Sequence, residues 1–251
     1  MAGTPPSVAG APLPRAPTLG GALRAGASDL FFNSWRAVPV NLAVGAVLVA
    51  SLIAWANAGI VAGAAVSVLA APPLAGLFRL GGQATRGLDV NLSDAIDPMR
   101  EAPAAVLLAG VAFAGAVLVL SANVVTGLLV GGILPWMVST AAAWGLLATL
   151  VLGFAYWPLA VDPARAGMRP LARARLAALL AFAHPVRLGA LTLVLAVILA
   201  ASTVVFAALV TVSVALCAFT ACRYVLPAAD RLEAQLAAAA GTGAAPTGSR
   251  P

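Results

Sequence analysis

Long apolar runs alternate with short charged segments along this chain. Runs without a charged residue extend over residues 38–56, 60–78, 103–161 and 188–222. A helix needs about 20 apolar residues to cross a bilayer, so each of the first two runs predicts one membrane-spanning helix. A turn signal at residues 57–59 separates them, which predicts a helical hairpin.

The two longer runs must each fold back on themselves. As single helices they would be about 90 Å and about 52 Å long at 1.5 Å per residue. The longer run predicts spans at residues 104–121 and 137–160. Residues 122–136 between them either prolong the neighbouring helices or dip partway into the bilayer. The shorter run predicts two short spans with a turn near residues 201–203.

The placement of charge predicts the number of spans and their orientation. All 14 basic residues are arginines, and 8 residues are acidic. With six spans, every charge falls in the N-terminal tail, the loops at 79–102 and 162–187, or the C-terminal tail. Arginine-rich short loops stay in the cytoplasm, and five or seven spans would export several arginines. We therefore predict an all-α, polytopic bundle of about six transmembrane helices in the plasma membrane, with both termini cytoplasmic.

The remaining segments predict tails and surface helices. Residues 1–28, rich in Pro, Ala, Gly and Ser, predict a disordered N-terminal tail. Residues 29–228 would form the membrane domain, and residues 229–251 a juxtamembrane helix with a flexible tail. Residues 170–183, with a proline in the first turn, predict a helix at the membrane interface.

Ionisable residues are absent from every predicted span, which argues against a pump, a proton-coupled carrier or a voltage sensor. The single histidine, His184, precedes a proline at the edge of a span and cannot anchor a His-rich metal site. Cys217 and Cys222 face different sides of a helix and are interpreted as packing residues. We predict no catalytic, cofactor-binding or metal-binding residue and no cofactor. The net charge of +6 indicates contact with the lipid bilayer, not with nucleic acid.

Three features indicate helix packing. Gly59 and Gly63, and likewise Gly127 and Gly131, match the small-xxx-small spacing that lets helices approach closely, within the chain or in a homo-oligomer. Asn41 is the strongest polar group in the first span, and it either hydrogen-bonds a neighbouring helix or contacts a solute.

Four arginines in the second charged loop are candidates for contact with anionic lipid or a partner. Near a membrane surface each offers about 1 kcal/mol of attraction to anionic lipid. They equally suit a purely topological role. These residues are Arg165, Arg169, Arg173 and Arg175.

Short motifs resemble those of a known family. They are Asn41 early in the first span, the Pro72–Leu77 stretch PPLAGL, the pair Ser93-Asp94, and Pro185-Val186-Arg187 before the fifth span. Over residues 30–228 the chain resembles the YesL-like family of uncharacterised bacterial membrane proteins. The resemblance implies a six-helix bundle often associated with carbohydrate uptake systems, and it carries no catalytic residue.

Two functional hypotheses follow. The first is a non-enzymatic accessory or regulatory component, associated with a carbohydrate ABC transporter through a transporter subunit. The alternative is a stand-alone permease for a small neutral solute. A permease needs a continuous polar path across the bundle. The side chains available for such a path are Asn41, Ser51, Asn123, Ser139 and Thr140.

Overall fold

The computed structural model describes residues 18–205 and 212–242. These residues form helices joined by short turns, and no strand occurs among them. In chain order the helices are α1 (Leu19–Phe32), α2 (Ser34–Ala58), α3 (Ile60–Ser67), α4 (Ala71–Arg86), α5 (Asp97–Glu101), α6 (Pro103–Val130), α7 (Ile133–Val161), α8 (Pro170–Ala183), α9 (Pro185–Val204) and α10 (Val214–Thr242).

Five helical segments in the described part of the chain are long and apolar enough to cross a membrane. They are Ser34–Ala58, Ile60–Arg86, Pro103–Val130, Ile133–Val161 and Pro185–Ser202. The chain is therefore a multi-pass, all-helical membrane protein. The sixth predicted span falls partly on residues 206–211, which lie outside the described residues.

The second span is longer than predicted. α3 passes through a short 3-10 turn, Val68–Ala70, into α4, where Pro72 occupies a first-turn position that needs no backbone N–H partner. α4 then continues to Arg86, so Arg79 and Arg86 lie on a helix and not in the predicted loop at 79–102. The loop was placed too early because charge was taken to end the helix.

The α6–α7 hairpin decides between the two interpretations of residues 122–136. α6 extends to Val130 and α7 begins at Ile133, so the stretch prolongs the two helices and does not re-enter the bilayer. Gly131 and Gly132 make the turn with φ of +70° and +90°, which residues with a side chain adopt at a cost.

Two other predicted boundaries are wrong. Residues 19–28 of the predicted disordered tail belong to α1, whose N-terminus is capped by the Thr18 side chain accepting from the Gly21 N–H. Residues 1–17 lie outside the described residues. α9 continues to Val204, so the last turn comes after residues 201–203. By contrast, α8 spans residues 170–183 as predicted.

The last described helix, α10, packs against α1, α4 and α7. Its core-facing side chains include Phe219, Cys222, Val225 and Leu226, all essentially inaccessible. Gly26 of α1 allows the close approach, since a Cβ there would lie 2.9 Å from the Thr220 backbone. Cys217 and Cys222 are both buried and unbridged, as expected for packing residues.

Candidate functional site: a network of ion pairs at one end of the bundle

Two arginines and three carboxylates meet where several helices end. Arg86 closes α4, Asp162 and Arg165 follow α7, and Asp230 and Glu233 lie one turn apart on α10. We call these five residues the ion-pair network. It joins segments up to 144 positions apart in sequence.

Each arginine of the network contacts more than one carboxylate. Arg86 places Nη2 2.6 Å from Asp162 Oδ2 and Nη1 2.6 Å from Asp230 Oδ2. Arg165 places Nη2 2.7 Å from Asp230 Oδ1 and 2.6 Å from Glu233 Oε2. Its Nη1 also donates to Asp162. The planar guanidinium group suits such multiple contacts, because its donors are fixed in a fork.

The centre of the network is buried. The side chain of Asp162 is fully inaccessible and that of Arg165 is 5% exposed. Buried charges are unfavourable unless paired and hydrogen-bonded. Asp162 meets that condition, because it accepts from Arg86, from Arg165 and from the backbone N–H of Ala164. The network therefore stabilises the fold by joining its helices. Each of its three carboxylates already forms an ion pair with Arg86 or Arg165.

The titration of Asp230 agrees with that role. Burial by itself would raise the pKa of its carboxyl, but hydrogen bonds from Arg86 and Arg165 outweigh burial and hold the pKa below its ordinary value. For Arg165, burial opposes the charged form, and the hydrogen bonds to Glu233 and Asp230 more than offset it, so its pKa is raised. Asp230 thus accepts hydrogen bonds at neutral pH and is no proton donor there.

Two further arginines join helices at the end of the bundle that carries the ion-pair network. Arg79 donates to Glu101 at 2.9 Å and to the carbonyl of Val161 at 2.9 Å, which links α4 to α5 and α7. Arg223 of α10 donates to Asp29 of α1 at 2.7 Å. The first and last described helices are therefore held together at the end that carries the network.

The predicted cluster of four exposed arginines does not exist as a unit. Arg165 is buried in the network, so its prediction as a lipid or partner contact is wrong. Arg173 is half-buried and donates to backbone carbonyls, including those of Ala160 and Arg165. Only Arg169 and Arg175 remain exposed, and neither forms an ion pair with any residue that the structure describes.

The glycine motifs divide into two roles. Gly59 and Gly131 lie in turns with φ of +86° and +70°, so their prediction as packing positions is wrong. Gly63 and Gly127 do lie at close helix contacts. A Cβ on Gly63 would be 2.8 Å from Trp55 Cβ, and one on Gly127 would be 2.4 Å from the Pro135 carbonyl oxygen. Both contacts are within the chain.

Asn41 links two helices. Its side chain is inaccessible, and Oδ1 accepts from the backbone N–H of Ala215 at 2.8 Å. Ala215 lies on α10, whereas Asn41 lies on α2. Asn41 of α2 therefore satisfies a donor at the start of α10, in agreement with the predicted contact to a neighbouring helix.

Sequence reasoning missed most members of the network, including Arg86, Asp162, Asp230 and Glu233. One signal was available: Asp230 and Glu233 are three residues apart on a helix, which places both on one face. In the described part of the chain, no three His, Cys, Asp or Glu side chains are grouped so that they could hold a metal ion. No protein-family model, curated protein or solved structure matches the chain, and the resemblance to the YesL-like family stays a prediction.

Proposed function

We propose that the chain is a six-span plasma-membrane protein that acts as a non-enzymatic accessory or regulatory component by binding a transporter subunit. The observation that carries this proposal is that polar side chains of the apolar helices, such as Asn41, Asn123 and Ser139, are hydrogen-bonded to the protein's own backbone. Such a protein has few polar side chains available to hydrogen-bond a transported solute. Its outer surface remains available for binding another protein.

The hydrogen bonds of the candidate path residues support this interpretation. Asn123 and Thr140 are exposed on the outside of the hairpin and donate to the carbonyls of Val119 and Trp136 in their own helices. Ser139 donates across the hairpin to the Val124 carbonyl at 3.1 Å. These groups lie on different sides of α6 and α7 and line no common route.

One cavity between the spans points the same way. It has a volume of about 220 Å³ and lies between α4, α6, α7, α9 and α10, and its walls are mainly apolar. Thr149 is its one hydroxyl-bearing wall residue in the described chain, and that hydroxyl donates to the carbonyl of Gly145. A small polar solute would lose its hydration there without finding replacement hydrogen bonds. This weighs against the permease hypothesis.

The proposed orientation, with both termini in the cytoplasm, rests on the meeting of the two ends of the chain. Asp29 on α1 pairs with Arg223 on α10 at the end of the bundle that also holds Arg86 and Arg165. An even number of crossings brings the two ends of a chain to one side. Arginine-rich ends belong on the cytoplasmic side.

Cysteine labelling tests the topology. The native Cys217 and Cys222 are first replaced by Ala, and single cysteines are placed at Asn57, Ile133 and Arg169, which are all exposed. In intact cells, a membrane-impermeant maleimide should label Asn57→Cys and Ile133→Cys only. Labelling of Arg169→Cys from outside would contradict the orientation.

Extraction in mild detergent tests the role. The tagged chain, purified from the cells that naturally produce it, should elute above its monomer mass together with a membrane subunit of a carbohydrate transporter. Phe182→Glu on α8, where 84% of the side chain is exposed, places a charge on one candidate contact surface, and Leu129→Glu is the matched change at the other end of the bundle. A monomer without a partner, combined with flux of a neutral solute in proteoliposomes, would replace this proposal by the permease.

A further inference from the structure

A basic cavity lies beside the ion-pair network, between α8, α9 and α10. Its volume is about 210 Å³, below the roughly 300 Å³ at which pockets for drug-sized ligands begin. The polar residues in its wall are His184, Arg187, Tyr224, Arg231 and Gln235. Among the described residues that line it there is no Asp or Glu, so the cavity is positive and unneutralised.

Arg231 is the residue that points to a ligand. Its Nε and Nη2 atoms are buried and have no hydrogen-bond partner within the described residues. Buried donors without partners are costly, and those of a guanidinium group more so than neutral ones. By contrast, Arg86, Arg165 and Arg223 donate to carboxylates. Arg231 is also one of the residues that line the cavity.

The geometry of α10 keeps the carboxylates away from this cavity. Asp230 and Glu233 are bound by Arg86 and Arg165 on one side of the helix. Arg231 and Gln235 lie one turn apart and line the cavity on another side. One side of α10 thus forms ion pairs in the network, and another side lines the cavity. Asp230 and Glu233 are therefore not available to neutralise the arginines of the cavity.

We propose that this cavity binds a phosphate group, carried either by a phospholipid head group or by a soluble phosphorylated compound. Arg231 would donate through Nε and Nη2, which is the paired geometry that phosphate oxygens accept. Arg187, exposed at the mouth, would add a second positive charge. His184, Tyr224 and Gln235 can each supply a further hydrogen bond. This inference does not depend on the accessory role.

The residues around the opening of the cavity favour a phospholipid head group as the source of the phosphate. Val186, next to Arg187, is 82% exposed and Phe182 is 84% exposed. Apolar side chains beside a basic cavity match a molecule with a charged head and hydrocarbon chains. A soluble phosphorylated compound would use the same donors without this apolar border, and the experiment distinguishes the two sources.

Binding is measured on the full chain in nanodiscs. In the first arm, phosphatidylglycerol is mixed into phosphatidylcholine, and lipids retained by the protein are counted by native mass spectrometry. In the second arm, the discs contain phosphatidylcholine only, and inorganic phosphate is titrated by calorimetry. Arg231→Gln should weaken binding at least about tenfold, because it removes charge-assisted hydrogen bonds. Arg187→Gln should weaken it by a smaller factor.

Arg175→Gln is the matched control, because it removes one exposed arginine of α8 that does not line the cavity. Variant-sensitive retention of phosphatidylglycerol supports the head group, and variant-sensitive binding of inorganic phosphate supports a soluble compound. The proposal is overturned if neither probe binds, or if Arg187→Gln and Arg175→Gln behave alike. Arg187 is exposed, so its variant remains informative should Arg231→Gln fail to fold.

Discussion

The two ends of the bundle are held together by different means. At one end, arginines and carboxylates from α1, α4, α5, α10 and the residues that follow α7 form ion pairs. At the other, the α6–α7 hairpin closes on a double-glycine turn between exposed apolar residues, with Leu129 and Ile133 each 81% exposed. The first end depends on specific charged partners, whereas the second depends on backbones approaching closely. Substitutions should therefore act differently at the two ends.

The largest expected effect is at the charged end. Asp162→Asn removes the charge that two arginines share while keeping the shape of the side chain. Breaking a buried pair by neutralising one partner costs about 3–5 kcal/mol. We expect a loss of that size in the free energy of unfolding, measured by SDS titration in mixed micelles.

Asp89→Asn is the control for this change, because Asp89 is exposed and follows Arg86 of the network closely in the sequence. A surface substitution of this kind should stay within about 0.5 kcal/mol. Equal effects of the two variants would mean that the ion-pair network contributes nothing specific to stability.

A smaller effect is expected at the hairpin end. In Gly127→Ala, the new Cβ would lie 2.0 Å from Ser139 Oγ and 2.4 Å from the Pro135 carbonyl oxygen. Ser139 can rotate away, but the backbone carbonyl cannot, so the helices must separate. Such overpacking costs about 1–3 kcal/mol. Gly115→Ala on the same helix meets nothing within 4 Å and should be neutral or stabilising in the same SDS titration.

The smallest expected effect is the pH dependence of stability, which the charged end of the bundle should show and the hairpin end should not. Because the pKa of Asp230 is lowered in the folded protein, its ion pairs stabilise the fold above the unfolded pKa of about 3.9. That contribution is lost as the pH falls through the lower folded pKa. The Asp230 side chain is 41% exposed, so solvent screening keeps the contribution small.

Thermal midpoints of the wild type and of Asp230→Asn should therefore differ by a constant amount from about pH 7 to about pH 4 and converge only below that. Gly127→Ala should keep a constant offset from the wild type over the same range, because its effect involves no titrating group. A gap between wild type and Asp230→Asn that does not narrow below about pH 4 would show that Asp230 acts through packing and not through charge.

The apolar end was more predictable from sequence than the charged end. Uninterrupted hydrophobic runs predict helices because the bilayer core requires every backbone polar group to be hydrogen-bonded within the chain, and α6 and α7 fill the charge-free run at 103–161. Even there, the turn at Gly131 and Gly132 was not distinguished from a re-entrant segment, since both are apolar. Helix end points depend on backbone contacts that a hydropathy pattern does not contain.

The charged end was misread because charge was treated as a mark of solvent. Arg79 and Arg86 were expected in a loop, yet α4 continues through both, and their partners make this possible. Arg165 was expected at the surface, and its partner Glu233 is 68 residues away in the sequence. The sequence around Arg165 does not indicate that Glu233 is its partner. The pairing becomes visible only in the structure, where the end of α7 meets α10.

The order of synthesis gives the ion-pair network a second consequence. Asp230 and Glu233 follow all five apolar helices in the chain, so a ribosome makes them last. Until then, Asp162 is the one carboxylate of the network that Arg86 and Arg165 can meet, and the group carries an excess of positive charge. Once α10 arrives, three carboxylates face the same two arginines and the excess becomes negative. The carboxylates of α10 thus complete the pairing of two arginines that were made much earlier.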